Sequence, residues 1–200
     1  MEFAEVVRRR RMVRAYDDRP VPPEAIERVL QPALRAPTAG FTQGVELLVL
    51  GAAEDRDRFW AATTDPDRPP DGWLRGMRTA PVLILVCTSA GAYLDRYTEP
   101  DKGWTDRDQE RWTAPYWYVD AGMAGLAMLY AAVDLGLGAC FFGVPADRHR
   151  RVRDVFAVPV NRDVVGVVSL GYRRPSERQS GSPRTRRRKP ADELVHRGHW

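Results

Sequence analysis

Lysine is nearly absent from this sequence. Lys102 and Lys189 are the only lysines among its 31 Lys and Arg residues, so arginine is the usual cation and a run of arginines is less informative here than elsewhere. Residues 173–200 carry nine Lys and Arg residues against three Asp and Glu residues, and no aromatic side chain before Trp200. Because nucleic-acid-binding segments interleave basic and aromatic residues, and no such motif is present, we expect no nucleic-acid partner.

Cysteine, histidine and common catalytic signatures are also scarce. Cys87 and Cys140 lie in apolar runs, which indicates reduced core residues of a cytoplasmic protein rather than a disulfide framework. The N-terminus lacks the apolar core of a signal peptide. The three histidines are not grouped with cysteines or carboxylates, so we expect no metal site. Without a G-x-S-x-G, Walker or G-x-G-x-x-G motif, an enzyme of this sequence would depend on a bound cofactor for its hardest step.

The longest apolar stretch runs from Tyr118 to Gly143. Between Val119 and Leu137 the only charged residues are Asp120 and Asp134, and this pattern predicts a helix buried on every side. Its Asp and Gly residues argue against a membrane span. Small residues at helical spacing favour close helix packing: Ala121, Ala124, Gly125, Ala131 and Ala132. We interpret this helix as the centre of the fold, packed against its copy in a homodimer; a core helix of a monomer is the alternative.

The other predicted elements form a single domain over residues 1–200. Strands are predicted at 45–50, 81–86, 139–142 and 164–170, and helices at 2–11, from Pro22–Pro23 to before Ala36, at 54–63 and at 147–156. This order predicts an α+β or α/β protein with helices on both faces of one sheet. Residues 89–116, rich in aromatic and polar side chains, are interpreted as a mobile cover over a pocket, with a plain surface insertion as the alternative. Residues 173–200 are interpreted as a C-terminal arm.

Two arginine clusters and one turn are candidates for binding a cofactor. The first cluster is Arg10, Arg11 and Arg14, and the second is Arg186 and Arg188. A guanidinium group donates two parallel hydrogen bonds to phosphate, so converging clusters would bind one phosphate; each cluster alone can also be a solvated run. The turn at residues 37–43 (PTAGFTQ) offers backbone N–H groups and an amide side chain to a planar heterocycle.

Five motifs in order resemble the FMN-dependent nitroreductase superfamily along the whole chain. Residues 10–16 (RRMVRAY) resemble R-R-S-x-R-x-F/Y, and residues 36–45 (APTAGFTQGV) resemble A-P-S-x-x-N-x-Q-P-W. Residues 132–138 (AVDLGLG) match A-x-x-x-G-L-G, and a strand and glycine follow at 141–143 (FFG). Residues 186–190 (RRRKP) match K/R-x-R-x-P. Each motif alone is weak, and their order and spacing carry the resemblance.

The resemblance implies a nitroreductase-like α+β fold. It consists of a central, mostly antiparallel sheet flanked by helices, with a long buried central helix, in a homodimer with two FMN sites at the subunit interface. No side chain is implied to be catalytic, since the flavin carries the chemistry. The residues implied to bind the cofactor are Arg10, Arg11, Met12, Arg14, Pro37, Thr38, Ala39, Gly40, Phe41, Gln43, Phe142, Gly143, Arg186 and Arg188.

The resemblance also implies a position for each part of this set. Arg14 would lie beside the pyrimidine edge of the flavin, where a cation favours negative charge on the ring. The other four arginines would hold the phosphate and the ribityl chain. Residues 37–41 would come from the partner subunit and line the ring, and Phe142 and Gly143 would pass under it.

The implied reaction passes hydride from NADH or NADPH through the flavin to a small-molecule acceptor such as a nitroaromatic or a quinone. We expect neither a nucleic acid nor a membrane as a partner. Met12 and Phe41 depart from the family pattern, which has Ser and Asn there, and Gly44-Val45 replaces Pro-Trp. Two alternatives are a flavin- or deazaflavin-binding protein without turnover and a flavin destructase-like enzyme. The destructase branch carries an acidic residue in the position of Met12, whose thioether cannot transfer protons.

Overall fold

The computed structural model describes residues 1–177, 182 and 185–200. Its helices are α1 (Phe3–Arg9), α2 (Pro23–Leu34), α3 (Ala53–Thr63), α4 (Gly72–Met77), α5 (Ala90–Tyr97), α6 (Tyr116–Asp134) and α7 (His149–Phe156). Its strands are β1 (Val45–Leu50), β2 (Val82–Thr88), β3 (Gly138–Phe142) and β4 (Asp163–Gly171). Short 3-10 turns lie at Ala39–Phe41, Gln109–Arg111, Ala146–Arg148 and Ala191–Glu193.

The four strands form one sheet in the order β1-β2-β4-β3, and every neighbouring pair is antiparallel. All seven residues of β2 are buried, which confirms the prediction from its unbroken apolar run. Because successive side chains of a strand point to opposite faces, Ile84 and Val86 join the core beneath α2 and α6. Leu83 and Leu85 join the core beneath α3 and α7 on the other face. The chain is therefore α+β, with helices on both faces of the sheet as predicted.

Helix α6 packs along the sheet and ends where the sequence predicted. Ala121, Ala124 and Ala132 have no exposed surface, and α2 packs against this row of small side chains. Gly136 has φ +73°, the left-handed conformation that ends many helices, and the Leu137 N–H closes the turn onto Ala132 O at 2.7 Å.

A single chain leaves part of α6 exposed, so the burial of this helix on every side, against its copy in a homodimer, stays a prediction. Five apolar side chains of α6 are 36–44% exposed, and four of them share one face at helical spacing: Tyr116, Val119, Met123 and Leu126, with Tyr118 beside them. The uniform apolarity of the sequence cannot distinguish a face buried within one chain from a face that needs another surface. No helix among the described residues is long and apolar enough to cross a membrane.

Candidate functional site

The N-terminal segment that carries the first arginine cluster lies against β3. Met12 forms a parallel β-bridge with Ala139, and the Val13 N–H donates to Ala139 O at 3.0 Å. The approach requires glycine at position 138, because an added Cβ would lie 2.8 Å from the Val13 side chain. Met12 packs against both cores, so its thioether serves as a packing group. Residues 10–14 and the start of β3, distant in sequence, therefore lie on the same edge of the sheet.

The chain leaving β4 runs back along this N-terminal segment. The Arg174 N–H donates to Ala15 O at 3.1 Å, and the Arg14 N–H donates to a Glu177 carboxylate oxygen at 2.6 Å. The Arg14 guanidinium donates to Met12 O at 3.4 Å. Residues 172–177 thus run antiparallel to residues 14–17 and head towards the first arginine cluster.

The four arginines predicted to hold the phosphate have no acidic partner among the described residues. The side chains of Arg10, Arg11, Arg186 and Arg188 make no hydrogen bond or ion pair there, whereas Arg8, Arg9 and many other arginines pair with carboxylates. Arg186 and Arg188 are exposed, and no contact joins them to the first cluster in the described part of the chain. Convergence of the two clusters therefore stays a prediction.

The turn at residues 37–43 is anchored by a buried carboxylate. Asp120 of α6 is only 1% exposed, and its Oδ2 accepts the Ala39 N–H at 2.8 Å and the Tyr93 hydroxyl at 2.7 Å. Burial and the neighbouring carboxylate raise the pKa of Tyr93 well above its usual range, so this hydroxyl keeps its proton and donates. Gly40 O accepts the Arg96 Nε–H at 2.9 Å. The turn is thus held to α5 and α6 by paired polar groups.

The backbone of this turn directs one aromatic side chain outwards. Gly40, Phe41 and Gln43 have φ values of +63°, +56° and +53°, and this conformation costs energy for the two non-glycine residues. A Cβ at position 40 would lie 2.7 Å from the Tyr97 ring, so both the backbone and the space require glycine there. Phe41 is 76% exposed although it is apolar. Strained residues of this kind cluster at binding sites, because the surrounding structure must hold them in place.

One chain does not bring this turn to the arginine cluster. Residues 37–43 precede β1, whereas residues 10–14 and 142–143 lie at β3, and β1 and β3 are the two opposite edges of the sheet. Three strand spacings separate these edges, about 14 Å. The two halves of the predicted cofactor set are therefore on different sides of a single chain.

A cavity of about 410 Å³ opens beside the end of β3. Phe142 and Gly143, from the predicted set, line it, and a Cβ at position 143 would meet no atom within 4 Å. The Phe142 ring stacks on Trp60 with 5.8 Å between centroids, and its ring meets the edge of Trp73 at 5.7 Å. The rest of the lining comes from α3, α4, the loop between them and the turn after β3. The cavity is thus aromatic on its inner walls and adjoins one part of the predicted site.

Known proteins resemble this chain over most of its length. A model of the nitroreductase family matches residues 7–172. A protein of Methanothermobacter thermautotrophicus, assigned as an NADH dehydrogenase/NAD(P)H nitroreductase, is 30% identical over 174 residues, which cover 86% of this chain and 78% of that protein. This chain belongs to the nitroreductase family.

Two further relatives extend the comparison. One is a protein of Desulfovibrio desulfuricans, assigned as a nitroreductase and solved in complex with FMN. Its structure matches this chain with a TM-score of 0.73 and 25% sequence identity, and the match covers 100% of this chain and 98% of that protein. A 4-nitrobenzoate reductase of Nocardioides is 27% identical over 198 residues, covering 85% of this chain and 80% of that enzyme. Family membership confirms two predictions: the nitroreductase-like α+β fold of the single chain, and its being an oxidoreductase enzyme. The homodimer stays a prediction.

Residues 89–116 contain features that the sequence pattern did not reveal. They form α5 and, together with Trp117 of α6, an aromatic cluster. This cluster is here defined as Tyr93, Tyr97, Trp104, Trp112, Tyr116 and Trp117, and the centroid of the Trp112 ring lies 4.4–6.1 Å from those of the other five rings. The cluster packs against the turn at residues 37–43 through Tyr97. Asp120 is a carboxylate in the interior of the largely apolar helix α6, and a buried acid usually has specific partners. The sequence shows this isolated carboxylate within the apolar run. It does not show that Tyr93 is the hydrogen-bond partner of Asp120. The role of residues 89–116 as a cover stays a prediction.

Two buried groups near the arginine cluster have shifted pKa values without reaching a solvent-exposed site. Burial raises the pKa of the Cys140 thiol, and the nearby Arg14 guanidinium opposes that shift. Burial also raises the pKa of Tyr16, whose hydroxyl lies 2.6 Å from Ser169 Oγ and donates to Val13 O at 2.8 Å. Both side chains therefore stay protonated at neutral pH and contribute to packing.

Proposed function

We propose that this nitroreductase-family chain is a one-domain, FMN-dependent oxidoreductase that passes hydride from NADH or NADPH, through the flavin, to a nitroaromatic, quinone or related acceptor. The observation that carries the proposal is the β-bridge between Met12 and Ala139, which joins two motifs of the resemblance on one edge of the sheet. The FMN-bound relative and the NAD(P)H nitroreductase and 4-nitrobenzoate reductase names of others support the same cofactor, reductant and acceptor class.

The chemistry of the donor set fits FMN. A phosphate monoester carries close to two negative charges, and Arg10 and Arg11 have no acidic partner among the described residues. The C-terminal arm supports a contribution from Arg186 and Arg188, since its course past Ala15 and Arg14 heads towards this cluster.

The residues of the chain bind and orient the cofactor and do not themselves react. Arg14 offers a positive charge to the pyrimidine edge of the ring, where it stabilises negative charge. Phe142 and Gly143 provide a surface beneath the ring, and the open space at Gly143 leaves room for close approach. The chemical step belongs to the flavin when it is bound.

We further propose a homodimer in which each turn at residues 37–43 completes the site of the other chain. The separation of β1 and β3 supports this, since one chain leaves the turn on the far edge of its sheet. The exposed apolar face of α6 supports an interface there, because contiguous exposed apolar residues mark protein contacts. The two buried free cysteines support a reducing, cytoplasmic location.

The test is the absorption spectrum of the purified protein. We expect a yellow protein whose colour is bleached anaerobically by NADH or NADPH and restored by a nitroaromatic or a quinone. A colourless protein that does not bind added FMN would contradict the proposal. Bound flavin that neither nucleotide bleaches would favour a binding protein without turnover, and dimethylbenzimidazole among the products in air would favour a destructase.

A further inference from the structure

Glu177, on the chain that follows β4, is a carboxylate with little access to solvent. Its side chain is 10% exposed, its Oε1 accepts the Arg14 N–H at 2.6 Å, and its Oε2 accepts the Arg173 Nε–H at 2.8 Å. Hydrogen bonds to an ionised group are short and strong, and a charge away from water requires such partners. Glu177 therefore places a negative charge directly beside the backbone of Arg14.

Backbone pairing brings Glu177 to this position. Arg173 forms an antiparallel bridge with Tyr16, and the Arg174 N–H donates to Ala15 O at 3.1 Å. The Glu177 N–H then donates to Arg174 O at 2.9 Å, which closes a turn after this short pairing. The Glu177 carboxylate thus reaches the N-terminal segment from a part of the chain that is itself fixed by hydrogen bonds.

Arg14 is held on both sides of its backbone. Its N–H donates to Glu177, and its carbonyl oxygen lies so close to α4 that a Cβ at position 76 would come within 2.2 Å of it. Its guanidinium donates to Met12 O at 3.4 Å. The fold therefore defines the positions of the cation and of the carboxylate together.

The two charges act in opposite directions on one buried group. Burial is the main cause that raises the pKa of the Cys140 thiol; the Arg14 guanidinium lowers this pKa, and the Glu177 carboxylate raises it. Cys140 is 2% exposed, so water screens neither charge at the thiol as it would at the surface. A ring bound beside Arg14 would experience the same pair, with the cation favouring negative charge on the ring and the carboxylate opposing it.

We propose that Glu177 sets the reduction potential of the bound flavin by offsetting the positive charge of Arg14. The proposal rests on the proposed function, which places Arg14 at the pyrimidine edge of the ring. Transfer of hydride from NADH or NADPH to the flavin leaves NAD⁺ or NADP⁺ and adds one negative charge to the ring. Arg14 stabilises that charge and Glu177 destabilises it, so the potential lies below the value that Arg14 alone would give.

The test is the midpoint potential of the FMN-loaded chain, measured by equilibration with a reference dye under argon. Glu177→Gln keeps an oxygen that accepts the Arg14 N–H and removes the negative charge. We expect the equilibrium constant for reduction to rise about tenfold, which raises the potential of a two-electron couple by about 30 mV. Glu177→Asp keeps the charge and should stay near the wild-type potential. Glu27→Gln, the same change at an exposed position of α2, is the matched control and should not shift the potential.

Arg173→Gln is a second variant with an effect of opposite sign. Arg173 pairs with Glu177 through a side chain that is 40% exposed. Its loss leaves the carboxylate less compensated, so we expect a lower potential. If Glu177→Gln does not fold, an unchanged potential in Arg173→Gln overturns the proposal.

Equal potentials of the wild type and Glu177→Gln, or a lower potential in the variant, would overturn the proposal. An equal rise in Glu27→Gln would do so too, since the effect would then depend on net charge alone. A chain that binds no FMN would overturn the proposed function together with this proposal. A chain that binds FMN and is bleached by NADH or NADPH, with a potential that Glu177→Gln does not raise, would overturn this proposal alone.

Discussion

The backbone N–H of Ala39 donates to Oδ2 of Asp120 at 2.8 Å, a hydrogen bond between the turn before β1 and the interior of α6. The same oxygen accepts the Tyr93 hydroxyl, so one buried carboxylate ties together the turn, α5 and α6. The turn carries the strained backbone of Gly40, Phe41 and Gln43. The position of Phe41 on the surface is therefore set by a residue in the core.

Asp120→Ala should destabilise the chain strongly. The variant leaves the Ala39 N–H and the Tyr93 hydroxyl buried and unpaired, so we expect the free energy of unfolding to fall by about 3 kcal/mol. Tyr93→Phe removes one donor and leaves Ala39 paired, so its cost should be about 1 kcal/mol. Chemical denaturation of the three proteins measures both values. Equal, small losses in the two variants would mean that Asp120 does not hold the turn.

Gly76→Ala should be poorly tolerated for a steric reason. A Cβ at position 76 would lie 2.2 Å from the Arg14 carbonyl oxygen. This oxygen belongs to the backbone, so it cannot move away as a flexible side chain could. We expect a loss of about 1–3 kcal/mol, as in other overpacked sites. Gly72→Ala in the same helix is the control, because its Cβ would come no closer than 3.8 Å to Arg75. Similar stabilities of the two variants would contradict the close packing of α4 on residue 14.

Much of the sheet was predictable, because its strands have local signatures. The predicted strand at 45–50 has the same bounds as β1. The predicted strand at 81–86 begins one residue before β2. Helices α4 and α5 were missed because they are short, with six and eight residues, so neither displays a sustained helical period of apolar residues. Their N-cap residues, Asp71 and Ser89, were the only local signals.

The candidate site was predictable only in part. Apart from Arg186 and Arg188, the residues implied by the resemblance lie in two groups on opposite edges of the sheet. No pattern of hydrophobicity indicates which edge a loop joins. The cavity beside β3 was not predicted at all, because its walls come from two segments that are distant in sequence, residues 59–74 and 142–148. Such a site depends on tertiary packing, which a single sequence does not display.

Stability should fall in alkaline solution through the buried thiols. Burial, with a smaller contribution from the Glu46 carboxylate, raises the pKa of Cys87 to about 11. The folded chain therefore keeps a proton that the unfolded chain loses near pH 9, so this contribution is complete below about pH 9 and is lost as the pH rises to about 11. Denaturant titrations across this range should show a steeper decline for wild type than for Cys87→Ala. Identical declines would contradict the shift.

A charge on the exposed face of α6 should dissociate the proposed dimer. Leu126 is 42% exposed in a single chain, and a glutamate in its place would be buried and unpaired between two copies of α6. We expect Leu126→Glu to sediment with the mass of one chain, 22.6 kDa, and wild type with twice that mass. Leu34→Glu, on α2 and already 62% exposed, is the matched control and should remain dimeric. A wild-type monomer, or a dimeric Leu126→Glu variant, would exclude this interface.

Subunit complementation tests most directly the central claim that each FMN site combines arginines of one chain with the turn of the other. One chain carries Arg10→Ala, which we expect to weaken FMN binding by about 1.5–3 kcal/mol. The other carries Gly40→Val, which forces a side chain into the Tyr97 ring and displaces the turn. Each variant alone should bind FMN weakly at both sites.

Co-expression with two affinity tags yields the mixed dimer for FMN titration. The account predicts that this dimer recovers wild-type affinity at one of its two sites, because one site then has an intact arginine cluster and an intact turn. A mixed dimer that binds FMN as weakly as both parents would contradict a site shared between chains.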